Sequence, residues 1–239
     1  MQQVLVIPDV HGRKFWKDAV GQYPELDTIF LGDYHDPYSA EGISRAESLQ
    51  NLKELLAYTK EHPNCQLLLG NHDLHYLCSF GEDCRYDYEN EFEIRNLLLD
   101  NIGRMSVATT RNINGNCVVF THAPILKEWG EQAGINDNIK KLIAMLNDAV
   151  KSLPSDPREI ERLLGFISPY RGGNCACGSP VWADIREING NNIIDTADYF
   201  VFGHTQMTAP VINARWACLD CRHAFIIDDQ LNVDQLILK

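Results

Sequence analysis

The sequence contains no apolar run that approaches the ~18 residues a helix needs to span a membrane. It also lacks internal repeats and low-complexity segments, which excludes repeat and collagen-like folds. Positive charge is scarce: 21 Lys and Arg face 33 Asp and Glu, for a net charge of −12. An acidic surface repels phosphate backbones, so we expect no stable nucleic-acid binding and no membrane partner.

A secretory signal pattern is missing as well. The first apolar run leads from Val4 directly to Asp9, so we expect no signal peptide. Eight cysteines without such a signal predict reduced thiols and a cytoplasmic location. Because no linker interrupts the 239 residues, we expect a single domain over residues 1–239.

Five short apolar runs each end at polar residues of the types that bind metals. In chain order they lead to Asp9 and His11, Asp33 and Asp36, Asn71 and His72, His122, and His204. The carboxyl ends of buried parallel strands meet in one crevice, so we expect these side chains to converge. Their oxygen and nitrogen donors suit Mn, Fe or Zn. Two such metals ~3.5–4 Å apart are the recurring centre of hydrolases that act at phosphorus.

The pattern of apolar residues predicts an α/β fold that opens with parallel strands. Helices are predicted over about residues 13–23 and 40–62, between strands that begin near Val4, Thr28 and Cys65. A helix over about 90–100 is followed by strands over 106–111 and 116–121, which Asn114-Gly115 joins as a hairpin. Residues 199–238 predict strands separated by tight turns.

Residues 125–170 predict a helical insertion between two of the strands that carry polar ends. Ile139, Leu142, Leu146 and Val150 mark one amphipathic helix, and Asp156-Pro157 opens the next. Two interpretations stay open: a cap that shapes the substrate site, or a helical layer over the sheet. The following glycine- and cysteine-rich stretch, 170–178, predicts a loop.

The polar blocks resemble those of the calcineurin-like metallophosphoesterase superfamily and occur in that family's order. They are Asp9-x-His11, Gly32-Asp33-x-x-Asp36, Gly70-Asn71-His72-Asp73, a lone His122 and Gly203-His204. The resemblance implies a metallophosphoesterase-type β-sandwich flanked by helices, with a dinuclear metal site at the C-terminal ends of strands. It further implies that Asp9 and His11 hold one metal and that Asp33 bridges both. Asn71, His122 and His204 would complete the second site.

The same resemblance assigns the catalytic pair. A metal-bound hydroxide would attack phosphorus while His72 protonates the leaving group, with Asp36 orienting the imidazole. Because Gln206 replaces a second histidine after Gly203-His204, the chain is most similar to the branch of serine/threonine phosphoprotein phosphatases and symmetrical dinucleoside tetraphosphatases.

Two residues depart from that branch. Pro37 stands where the branch carries an arginine that grips phosphate, and Asp73 stands where it favours glutamate. Phosphate binding must therefore come from elsewhere. We predict Arg171 in the glycine-rich loop, with Arg13 in reserve, because a guanidinium can fork onto two phosphate oxygens. The alternative for Arg171 is an ordinary surface arginine.

The remaining histidines and cysteines receive structural interpretations. His35 is predicted to be a partly exposed loop residue, and His62, His75 and His223 to be structural. The pairs Cys175/Cys177 and Cys218/Cys221 allow a structural zinc, although free thiols are favoured because one pair has a tighter spacing than ribbon sites use. The other cysteines are expected to fill the core: Cys65, Cys78, Cys84 and Cys117.

The predicted function is metal-dependent hydrolysis of a phosphomonoester, on a phosphoprotein or a small phosphorylated molecule. Mn is the favoured cofactor, with Fe or Zn as alternatives. Two other functions stay open: hydrolysis of a dinucleoside polyphosphate or nucleotide anhydride, and a catalytically silent metal-binding scaffold. The sequence predicts neither the physiological substrate nor the oligomeric state.

Overall fold

Two β-sheets pack face to face in the computed structural model, which describes residues 3–79, 84–134 and 138–237. Six strands form one sheet, in the order β11-β10-β1-β2-β3-β4, and five form the other, in the order β5-β6-β7-β9-β8. The strands are β1 (Val4–Ile7), β2 (Asp27–Phe30), β3 (Cys65–Leu68), β4 (Met105–Ser106), β5 (Ala108–Ile113), β6 (Asn116–Thr121), β7 (Tyr199–Phe202), β8 (Val211–Ile212), β9 (Trp216–Cys218), β10 (Phe225–Ile227) and β11 (Val233–Gln235). The helices are α1 (Phe15–Gln22), α2 (Arg45–Glu61), α3 (Asn71–Leu74), α4 (Glu91–Asn101), α5 (Lys127–Ala133), α6 (Ile139–Ser152) and α7 (Arg158–Leu164).

Both faces of the central strands are buried, which explains why they read as continuous apolar runs. Val4 and Val6 of β1 face the second sheet, in one cluster with Phe120 of β6. The alternate residues Leu5 and Ile7 belong to the larger cluster that includes the helices. Each such buried aliphatic side chain contributes about 1.5–3 kcal/mol. The predicted α/β sandwich flanked by helices is thus confirmed.

The parallel opening is confirmed, since β1 pairs with β2 and β2 with β3 in parallel. The second helix begins later than predicted. Residues 39–41 form a 3₁₀ turn that ends at Gly42 with φ of 69°, and α2 starts only after Ser44. There Ser44 and Glu47 form a capping box, in which each side chain accepts the other residue's backbone amide.

The strand predicted over 106–111 is two strands in different sheets. β4 pairs with β3 of the first sheet, whereas β5 pairs with β6 of the second, so the chain changes sheets at Val107. The hairpin between β5 and β6 is confirmed. Asn114 and Gly115 both have positive φ, 49° and 88°, as a tight two-residue hairpin turn requires.

The helical segment covers the junction between the sheets. Leu142, Leu146 and Val150 of α6 are buried as predicted. On the same helix, Asn147 accepts hydrogen bonds from the amides of Val107 and Ala108, 3.0 and 3.3 Å long. Residues 135–137 of this segment, and 80–83 of the irregular segment after α3, lie outside the described residues. Among the helices that are described, none is long and apolar enough to cross a membrane.

Candidate metal centre

The ends of five strands meet at a cavity of about 500 Å³. Strands β1, β2 and β3 reach it from the first sheet, and β6 and β7 from the second. The polar residues at the strand ends therefore come from two sheets. The sequence predicted one common crevice without assigning the strands to separate sheets. The cavity is lined by four of the six predicted ligands: His11, Asp33, Asn71 and His204. No described residue of α5, α6 or α7 lines it.

The first cluster of donors comprises Asp9, His11 and Asp33, whose ligand atoms lie within 4.8 Å of one another. Nδ1 of His11 donates to the carbonyl oxygen of His35 over 3.0 Å, which fixes the tautomer and leaves a lone pair on Nε2. That Nε2 lies 3.4 Å from Oδ2 of Asp33. A lone pair therefore faces a carboxylate oxygen.

The second cluster shares Asp33 and adds His122 and His204. Nδ1 of His122 donates to the carbonyl of Leu31 over 2.8 Å, so its Nε2 also carries a lone pair. This Nε2 lies 3.0 Å from Oδ1 of Asn71 and 3.4 Å from Oδ2 of Asp33. The same oxygen of Asp33 is thus 3.4 Å from a histidine nitrogen of each cluster, so Asp33 belongs to both groups of donors.

Several of these residues have strained backbones. The φ angles of His11, Asp33, Asp36 and His204 are 45°, 53°, 56° and 65°, in the left-handed region that residues other than glycine seldom occupy. Hydrogen bonds hold them there. The amide of His11 donates to the carbonyl of Asp33 over 2.7 Å, and the amide of His204 donates to both oxygens of Asp9 at 3.0 Å. Strain of this kind is typical of residues held in place for a functional site.

Burial shifts the pKa values of the donors away from their usual range. Burial, with a smaller contribution from neighbouring carboxylates, raises the pKa of Asp9 to about 6 and that of Asp33 to about 7. It lowers the pKa values of His11, His122 and His204, which are therefore neutral, the form that binds metals. The buried carboxylates have raised pKa values, and histidine lone pairs face them. A positive charge among these atoms would therefore be favourable. The donor set therefore fits two transition-metal ions.

His72 and Asp36 form the predicted pair. Nδ1 of His72 lies 2.8 Å from Oδ2 of Asp36, and Nε2 of His75 lies 2.6 Å from the same oxygen. The hydroxyl of Tyr76 donates to the other oxygen of Asp36. Burial alone would raise the pKa of Asp36, but these histidines hold it below its usual range. Burial also lowers the pKa of His72, to about 4, against the opposing influence of Asp36.

The two predicted phosphate ligands differ in position. Arg171 lines the cavity, with Nε 2.9 Å from Oδ2 of Asp184 and Nη2 donating to Oγ1 of Thr205 over 3.0 Å. Arg13 is buried beside the first cluster. Its guanidinium donates to Glu41 over 2.7 and 2.9 Å and to the carbonyl of Asp9 over 3.1 Å. Arg13 does not line the cavity of about 500 Å³.

The expectation that His35 is partly exposed is wrong. The side chain is 1% exposed and is held between Oγ of Ser48, at 2.9 Å from Nδ1, and Oδ2 of Asp87, at 3.1 Å from Nε2. This fixed ring orients the carbonyl that accepts the hydrogen bond of His11. Asp73 has a similar supporting role, because its carboxylate accepts the amides of Asp33, Tyr34 and Gly70 at 2.8, 3.1 and 2.8 Å. It thereby ties the loop after β2 to the loop after β3.

Two residues at the cavity escaped the sequence interpretation, Tyr38 and Arg85, and Trp182 lines it as well. Arg85 gave the clearest available signal, as a basic residue in a stretch otherwise rich in tyrosine and acidic residues.

All the described cysteines are free thiols, and no metal-binding group among the described residues contains one. Burial raises the pKa of Cys177 to about 12, so this thiol stays protonated. The prediction that Cys84 fills the core is wrong, because Cys84 is exposed. Cys78 is buried as predicted, whereas Cys65 and Cys117 are half-buried.

Comparisons with known proteins agree with this arrangement. The family model described as calcineurin-like phosphoesterase matches residues 3–207. No curated protein matches the chain. Among solved structures, a cold-active protein tyrosine phosphatase of a psychrophile, Shewanella sp., has a TM-score of 0.59 at 17% identity, covering 99% of this chain and 81% of its own. A hypothetical protein of Pyrococcus horikoshii OT3 has a TM-score of 0.50 at 10% identity, covering 100% and 88%. At such identities the likeness to the two structures shows the fold alone.

Proposed function

Because the chain belongs to the calcineurin-like phosphoesterase family, we propose that this hydrolase cleaves phosphomonoesters with the help of two metal ions. The observation that carries the proposal is the position of Oδ2 of Asp33, 3.4 Å from Nε2 of both His11 and His122. Each nitrogen presents a lone pair to the same carboxylate oxygen. Metal ions held by these residues would remove the repulsion.

Six residues would hold the pair: Asp9, His11 and Asp33 on one side, and Asp33, Asn71, His122 and His204 on the other. When bound, the metals would supply positive charge to the phosphoryl oxygens and lower the pKa of a water molecule. Mn is the favoured ion, because the set mixes carboxylate, amide and imidazole donors. Fe and Zn accept the same donors.

His72 delivers a proton from Nε2 to the leaving-group oxygen. Its Nδ1–H bond to Asp36 fixes the ring, so Nε2 is the atom that exchanges protons. In the structure His72 is neutral, with its pKa lowered to about 4 by burial. A phosphate dianion in the cavity places negative charge beside the ring, and opposite charge raises the pKa of an imidazole. Substrate binding therefore favours the protonated acid.

Arg171 binds a phosphoryl oxygen from the rim of the cavity. Asp184 and Thr205 hold its Nε and Nη2, so the guanidinium is oriented before the substrate arrives. Such preorganisation reduces the entropy lost on binding. The Shewanella structure of similar fold is described as a protein tyrosine phosphatase, which supports a phosphoprotein as one class of substrate.

The test compares Mn-loaded protein on an aryl phosphomonoester, an aryl phosphodiester and a dinucleoside tetraphosphate. We expect turnover of the monoester, reduced about 10²- to 10³-fold in Asp33→Asn. Asp195→Asn, which alters an exposed carboxylate paired with Lys127, is the matched control and keeps full activity. Preference for the tetraphosphate would replace the proposal by nucleotide-anhydride hydrolysis. Bound metal without turnover of any substrate would favour a binding scaffold.

A further inference from the structure

The guanidinium of Arg85 lies in the cavity beside the proposed acid. Its Nη2 is 2.8 Å from Nε2 of His72, and its Cζ is 3.6 Å from the centroid of the Tyr38 ring. The backbone of Arg85 has a φ of 62°, so it shares the left-handed conformation of the metal-site residues. Stacking on Tyr38 fixes the plane of the guanidinium, and the contact with His72 fixes its direction.

Two other donors of this guanidinium have no hydrogen-bond partner among the described residues. Nε and Nη1 of Arg85 are buried without a hydrogen bond, and no carboxylate of the described residues lies within ion-pair distance. The two neighbouring arginines differ from Arg85, because Arg13 forms an ion pair with Glu41 and Arg171 forms one with Asp184. A guanidinium with unpaired buried donors is stabilised by an anionic ligand that accepts their hydrogen bonds. The open donors of Arg85 therefore offer such a ligand a place in the cavity.

We propose that Arg85 binds the phosphoryl oxygens of the substrate and favours a phosphomonoester dianion over a diester monoanion. The inference rests on the proposed function and deepens it. Nε and Nη1 of Arg85 are open, and each forms a fork with Nη2 that matches two oxygens of one phosphate group. Together with Arg171, Arg85 gives the cavity two guanidinium groups for a doubly charged ligand.

The contact between Arg85 and His72 places the bound phosphate next to the proposed acid. Nη2 of Arg85 and Nε2 of His72 lie 2.8 Å apart in the same part of the cavity. A phosphoryl oxygen that takes the hydrogen bond of Nη2 therefore releases Nε2 of His72. Arg85 therefore contacts the substrate. When phosphate binds, Arg85 exchanges its hydrogen bond with His72 for one with phosphate, which frees Nε2 of His72.

The test measures binding of inorganic phosphate to the Mn-loaded protein by titration calorimetry. Arg85→Ala is expected to weaken phosphate binding by about 10- to 100-fold, the range for hydrogen bonds to a charged group. Arg85→Lys, which keeps the charge without the fork, is expected to lose only part of this, about three- to tenfold. Arg158→Ala is the matched control, since Arg158 is exposed and pairs with Asp156 at the surface. It should bind phosphate as the wild type does.

A second readout separates the phosphoester classes. In Arg85→Ala, kcat/KM should fall about tenfold further for an aryl phosphomonoester than for its methyl diester. Phosphate binding in both variants within about twofold of the wild type would overturn the inference, as would equal losses on monoester and diester. Absence of turnover in the wild type would contradict the proposed function instead. The phosphate titration would still decide the role of Arg85, because it needs no catalysis, and a wild type that binds no phosphate would overturn it.

Discussion

A Cβ atom on Gly70 would lie 2.1 Å from Oδ1 of Asp33. The backbone of Gly70 is extended, with φ of −95° and ψ of 178°, so the glycine is needed for space and not for conformation. Oδ1 of Asp33 accepts the amide of His72 over 2.9 Å, which leaves Oδ2 for the two histidines. The placement of Oδ2 of Asp33 between the two histidines therefore depends on the absence of a side chain at Gly70.

Gly70→Ala should displace the Asp33 carboxylate and reduce both metal content and stability. Overpacking of this kind costs about 1–3 kcal/mol in the free energy of unfolding. Denaturant unfolding and elemental analysis would measure the two effects. The control is Gly21→Ala in α1, where an added Cβ meets nothing within 4 Å. That variant should be stabilised by about 0.4–1 kcal/mol and keep its metals. Full metal content in Gly70→Ala would contradict the account.

His72→Ala should slow substrates with poor leaving groups far more than activated aryl esters. The loss expected for an alkyl phosphate is about 10²- to 10⁴-fold, since an alkoxide needs a proton to depart. An activated aryl phosphate needs less assistance. The measurement is kcat/KM over a series of leaving groups, with the exposed residue His223 changed to alanine as control. Equal losses along the series would remove the acid role of His72.

Arg171→Ala should raise KM about tenfold while changing kcat by less than about threefold, because its contact with phosphate exists before the transition state. Steady-state kinetics on an aryl phosphomonoester would show this. Arg162→Ala, which breaks an exposed ion pair with Glu159, should change neither constant. An unchanged KM in Arg171→Ala would remove Arg171 from phosphate binding.

Metal binding should be strongly pH-dependent. The pKa values of Asp9 and Asp33 are raised from 3.8 to about 6 and about 7 in the folded protein. Between pH 3.8 and about 7 the folded protein binds more protons than the unfolded chain. Without metal, its stability therefore falls as the pH rises through this window. A bound cation favours the ionised carboxylates and opposes this loss. The increase in Tm on adding Mn²⁺ should therefore be larger at about pH 8 than at about pH 5. Equal increases at the two pH values would contradict the assignment of these carboxylates.

Much of the site was predictable, because a metal ligand at the end of a strand leaves a local signature. Asp9, Asp33 and His122 each stand one residue after an apolar run, and the packing of the sheets brings them together. The change of sheet at Val107 left no such signature. Residues 106–111 read as one strand because both sheets bury their apolar residues, and only tertiary pairing separates β4 from β5.

The residues that the sequence did not reveal act through long-range contacts. His35 is buried by Ser48 and Asp87, which lie 13 and 52 positions away. Arg85 belongs to no periodic element, so its approach to His72 follows from the path of a loop. The same limit of sequence-based prediction applies to phosphate binding, which concerns Pro37, Arg85 and Arg171. A motif indicates that phosphate must be bound, but which guanidinium reaches it is decided by tertiary structure.

The most direct test of the metal centre is the number of Mn ions bound per chain, measured by elemental analysis after dialysis. We expect about two ions in the wild type, and fewer than about one in Asp33→Asn, because one oxygen of Asp33 lies against both clusters. Asp195→Asn should retain both ions. A wild type that binds one ion or none, or an Asp33→Asn variant that keeps two, would contradict the bridging role of Asp33 and the dinuclear centre built on it.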